Sequence, residues 1–80
     1  MNKVKFNIQD QYLNQVRKDG TRMTFETVTG KTITGHIKGF DNFCIVVEDD
    51  TSYLLYKHAI SSICPAEEGA KVRLSFNEPR

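Results

Sequence analysis

The hydrophobic period of this chain changes once, at Gly20, and stays changed as far as Pro65. Ahead of that glycine, "NIQDQYLNQVRKDG" spaces Leu13, Val16 and Tyr12 as one stripe of a helix. Asp10 reads as its N-cap, with Ile8 packed over it as a staple. Arg17 and Lys18 fall in the last turn, where cations suit the dipole, and Gly20 stops the helix. The pattern predicts a helix over 9–19. From Thr21 the period is two: Met23, Phe25 and Thr27 fall on one face, Thr24, Glu26 and Val28 on the other. "TGK" at 29–31 is a turn centred on Gly30. Then "KTITGHIKGF" sets Ile33, Gly35, Ile37 and Gly39 against Thr32, Thr34, His36 and Lys38. Glycines 35 and 39 inside a strand point to sharp bending or close backbone approach. "DN" at 41–42 bends the chain, "FCIVVE" is a buried strand, and "DDTS" is the next turn. "YLLY" and "AISSICP" are the last two strands, closed by Pro65.

One helix followed by five short strands gives an α+β, mostly β chain: a strongly bent antiparallel sheet forming a small open barrel. The expected division is a polar arm over 1–7 carrying Phe6, a folded domain over 8–65, and a polar tail over 66–80. A weak alternation at Val72, Leu74 and Phe76 leaves the tail either disordered or a loose extra strand. An open sheet has two edges, and bare edges invite another chain. Pairing the last strand of one subunit with the penultimate strand of the next is head-to-tail, and such contacts can close into a ring.

Eighty residues allow one thin core, so partner subunits are a natural supplement. No apolar run nears the roughly 20 residues of a membrane helix. "MNKVKFNIQD" has no secretion-signal pattern, so the cytoplasm is the expected location. Cys44 and Cys64 lack Cys-x-x-Cys spacing and sit among apolar neighbours, so both are expected to be buried, reduced thiols. His36, His58, Asp41, Asp49, Asp50 and the two cysteines could be recruited for a metal-dependent hydrolase. However, no pair has zinc-ligand spacing and no serine sits in a nucleophile elbow. Neither a cofactor, a metal nor catalysis is expected. A pure assembly module without any ligand is a third class.

The segment "YLLYKHAISSI" interrupts two strand-like runs with Lys57 and His58. Taken alone, such a pair is a solvent-facing turn or a surface that holds a base and its phosphate. Phe43, judged by its neighbours, reads as core, Phe40 as core-to-interface, and Tyr56 as a subunit contact. Asp41 is expected to fix its turn through its carboxylate. His36, Arg22 and Lys38 read as solvated. The net charge of +1 is low for a nucleic-acid binder, so any cationic surface must arise by geometry, through repetition of one subunit.

"IQDQYLN" at 8–14, "GFDNF" at 39–43 and above all "YKHAIS" at 56–61 resemble the bacterial Sm-like RNA chaperones, the Hfq family. The resemblance runs over about residues 7–65. It implies an Sm-like fold assembling as a homohexamer, with small regulatory RNAs and messenger RNAs as partners and their annealing as the function. On the helix-bearing face it implies a U-rich site at the ring pore, built from Gln9, Asn42, Phe43, Lys57 and His58. Phe43 would stack a base, while Lys57 and His58 would donate to base edge and phosphate. On the opposite face it implies an A-rich site from Phe25, Gly30, Lys31, Thr32, Ile33, Thr34, Tyr53 and Ser62. There this chain departs from the family: Glu26 stands where an aromatic is common, and Lys31 where an apolar residue is. A carboxylate cannot stack a base and repels phosphate. The implied rim is Asn14, Arg17 and Lys18, next to Asp19, which predicts modest annealing activity.

Overall fold

The computed structural model describes residues 7–74. Helix α1 spans Ile8–Asp19, and five strands follow: β1 Arg22–Thr27, β2 Thr32–Phe40, β3 Cys44–Glu48, β4 Ser52–Tyr56 and β5 Ile60–Pro65. A single 3-10 turn, Lys57–Ala59, separates β4 from β5. All strand pairs are antiparallel, in the order β4-β3-β2-β1-β5. The two outer strands are not bonded to each other, so the sheet stays open.

The helix starts one residue earlier than the sequence pattern predicts. Its N-cap is Asn7, whose Oδ1 accepts from the Asp10 N–H at 3.1 Å. Asp10 is therefore not the cap, as expected, but a first-turn residue with its carboxylate left over. Asn7 wins because it stands three residues ahead of that N–H, where a side-chain oxygen reaches an orphan donor. At the other end Gly20 adopts φ 69°, and its N–H returns to the Arg17 carbonyl at 3.2 Å. That left-handed cap suits glycine.

The core lies between α1 and the inner face of the sheet. Leu13 and Val16 meet Met23, Phe25, Ile37, Ile45 and Val47, all buried. Each such side chain contributes roughly 1.5–3 kcal/mol. Gly35 is needed for close approach: a Cβ there would stand 2.8 Å from the Glu48 carbonyl oxygen and from Val47 Cγ1. Gly39 has open space instead and follows a register shift between Ile37 and Gly39, which bends β2. A second shift, at Glu26/Thr27, bends β1 against β5, and Ser61 Oγ there donates to the Glu26 carbonyl at 3.1 Å.

The cysteines correct another expectation. Cys44 is half-buried and Cys64 exposed, because Cys64 pairs with Thr24 on an edge strand and faces away from the core. Within the described part of the tail no strand forms; Val72 packs on the core instead. Phe6 and Phe76 lie outside the described residues. Among the described residues, no helix is long and apolar enough to cross a membrane.

Candidate nucleic-acid interface

Three chain segments converge at the N-terminal end of α1. The first is the helix start, with Gln9 exposed and Asp10 beside it. The second is the loop between β2 and β3. There Asp41 Oδ1 accepts from the N–H groups of Phe43 and Cys44, both at 2.8 Å. Those two bonds hold the Asp41 carboxyl below its ordinary 3.8, with a smaller contribution from the Lys57 charge. The third is the 3-10 turn: the Lys57 N–H donates to the Phe43 carbonyl at 2.8 Å, so turn and loop move as one piece.

This backbone framework turns Phe43 outward. Phe43 is 65% exposed although the loop beneath it is tied by both Asp41 bonds. A rigidly held, solvent-facing aromatic loses apolar burial and gains nothing in the core, whereas a base could stack on it. Lys57 is handled differently. Its side chain is only 11% exposed, its Nζ lies 3.4 Å from Asp10 Oδ1 and 5.3 Å from the centre of the Phe40 ring. Ammonium over a ring face is a cation–π contact. Lys57 and Gln9 line one cleft of about 340 Å³ with Tyr12, Ile60 and Ile63. Burial, and then the nearby Cys64 thiol, raise the Tyr12 hydroxyl pKa above its usual 10.0. His58 and Asn42 are exposed next to this group.

Gln9, Asn42, Phe43, Lys57 and His58 thus stand in one neighbourhood within a single chain. Asp10 and Phe40, the two groups that hold the Lys57 ammonium, escaped the sequence reading as site residues. Asp10 had a helix-cap explanation and Phe40 a core one. The usable signal was the first-turn position of Asp10, one residue after Gln9.

The opposite sheet face carries hydroxyls. Thr24 and Thr34 share a hydrogen bond at 3.1 Å. Glu26 is exposed, pairs in register with Thr32 and Ser62, and its Oε1 accepts from Ser62 Oγ at 3.4 Å. Gly30 takes φ 89° in the turn, next to exposed Lys31. Ile33 is half-buried against the core. Phe25 does not belong to this face: it is 0% exposed, since alternation sends it to the core side together with Met23. No base can reach its ring without unpacking the core. Tyr53 lies on β4 beside Val47, at the far edge of the sheet from Ser62, so one chain does not bring those two together. Asn14, Arg17 and Lys18 are exposed on α1, and Arg17 donates to Asn14 Oδ1 at 2.6 Å. Among the described residues no three potential metal ligands cluster.

Comparison with known proteins points the same way. The family model described as Hfq protein matches residues 8–70. RNA-binding protein Hfq of Geobacillus sp. is 52% identical over 64 residues, covering 79% of this chain and 86% of that protein. RNA-binding protein Hfq of Desulforamulus reducens is 44% identical over 79 residues, covering 98% and 95%. Among solved structures, that of the pleiotropic translational regulator Hfq superimposes with a TM-score of 0.72 at 30% identity, over 74% of this chain and 91% of the other.

Proposed function

The chain belongs to the Hfq family, and from that premise we propose that it is an RNA chaperone whose U-rich site is the Phe43–Lys57 neighbourhood. It binds RNA and promotes annealing of small RNAs to messenger RNAs; it is not an enzyme. The observation that carries the site is the exposed Phe43 ring on a loop bonded directly to the backbone of Lys57. A base stacks on the ring. Lys57, once its Asp10 contact is exchanged, neutralises phosphate or donates to the base edge. Gln9, Asn42 and His58 supply further donors and acceptors around the same opening.

Six copies close into a ring through the free edges of β4 and β5, and that symmetry concentrates the lysines of a chain whose net charge is only +1. Asn14, Arg17 and Lys18 form the outer rim. A cytoplasmic location suits RNA partners. On the opposite face, Gly30, Lys31, Thr32, Thr34 and Ser62 remain available to RNA, while Ile33 leans into the core and Tyr53 stands at the other edge of the sheet; Glu26, in register with Thr32 and Ser62, repels phosphate there. The test is a titration of labelled oligo-U and oligo-A by fluorescence anisotropy. Wild-type protein binds oligo-U more tightly, and Glu26→Phe raises oligo-A affinity. Equal affinities would refute the site, and no gain from Glu26→Phe would refute the account of the opposite face.

A further inference from the structure

The segment after β5 does not leave the molecule. Ala66 N–H donates to the Arg22 carbonyl at 2.9 Å, Ala70 N–H donates to Glu67 at 3.1 Å, and Gly69 at φ 85° turns the chain back. From there exposure alternates: Lys71 and Arg73 are exposed, Val72 and Leu74 half-buried. Val72 packs on the core, and all four residues share a cleft with Gln15 of α1. Lys18 lies one turn beyond Gln15 on the same helix. Among the described residues, no carboxylate pairs with Lys71, Arg73, Arg17 or Lys18. Of the acids nearby, Asp19 accepts from Gln15 at 3.0 Å, and Glu67 lies in a separate cleft with Arg22. Glu68 is exposed on the turn.

We infer that residues 71–74 are a docked basic strap that gives RNA phosphates a second hold beside α1, separate from the Phe43–Lys57 site. This rests on the RNA-binding reading above. Apolar Val72 and Leu74 alternate with exposed Lys71 and Arg73, whose Cα atoms stand at most about 7 Å apart along the chain. Among the described residues, the cleft lining carries no aromatic to stack a base, so the array takes backbone phosphate, which carries no sequence information. It enlarges a helix rim that offers only Arg17 and Lys18.

The experiment compares the salt dependence of affinity for a short oligo-U, which fills only the Phe43–Lys57 site, and for a long single strand that extends past it. Lys71→Gln/Arg73→Gln flattens the log–log salt slope on the long strand by about 1.4, since each lost phosphate contact on single strands is worth about 0.7. Short oligo-U binding is unchanged. Lys71→Arg/Arg73→Lys keeps the wild-type slope. An unaltered slope in the glutamine variant, or a slope lost equally in the charge-conserving variant, would overturn the strap. Failure of wild type to bind short oligo-U, with the slope difference intact on the long strand, would remove the Phe43–Lys57 site and leave the strap standing.

Discussion

Asp41 does for its loop what a cap does for a helix: one carboxylate oxygen collects two backbone donors and thereby aims Phe43, two residues on, at solvent. Because folding lowers its pKa, Asp41 stabilises the folded state above the ordinary value of 3.8, and that contribution is lost as pH falls through the lower, folded value. Asp41→Asn is thus expected to melt at a lower temperature than wild type at neutral pH, with the gap narrowing in acid; a gap independent of pH would contradict this. The role of Asp41 was legible in sequence, since an aspartate before a turn has few other uses. The outward ring of Phe43 was not legible from its neighbours alone, because an aromatic that follows a turn normally packs inward. Only the surrounding "GFDNF" and "YKHAIS" motifs marked it. Phe25 was misjudged in the other direction: its position in the strand alternation already assigned it to the face of Met23, which the structure buries.

At the scale of elements, strand period and glycine placement carried most of the information. The switch at Gly20 separates α1 from the sheet, and both strand glycines mark irregular places, one by close approach and one by a bulge. The contact at Gly35 is the tighter constraint, since the opposing atom is a main-chain carbonyl that cannot turn aside. Gly35→Ala is expected to destabilise the fold by roughly 1–3 kcal/mol, as overpacking does. Urea denaturation measures it, and an unchanged midpoint would contradict the close approach. Element boundaries were less legible. Asn7 and Asp10 are both acceptable caps, and only the geometry selects between them. The docking of Val72 could not be read from a weak alternation in a polar tail.

For the whole molecule, the sheet ends at β4 and β5 in two edges that no other described strand covers, and β4 exposes Leu54 and Tyr56 to 54% and 59%. A lone subunit would leave both the edge hydrogen bonds and this apolar strand in water. The proposed ring predicts a native mass of six times the 9.2 kDa chain by light scattering, and a monomer at micromolar concentration would contradict it. Edges were legible in sequence as a consequence of an open sheet, but ring size is a property of the angle between subunits and has no local signature. The most direct test of the central claim is oligo-U binding by Lys57→Ala and Phe43→Ala, read as anisotropy on protein that elutes like wild type. Phe43→Ala is predicted to lower affinity by roughly 5- to 150-fold, in line with about 1–3 kcal/mol for one stacked base, and Lys57→Ala to lower it as well. Wild-type affinity in both variants would mean that uridines are held elsewhere.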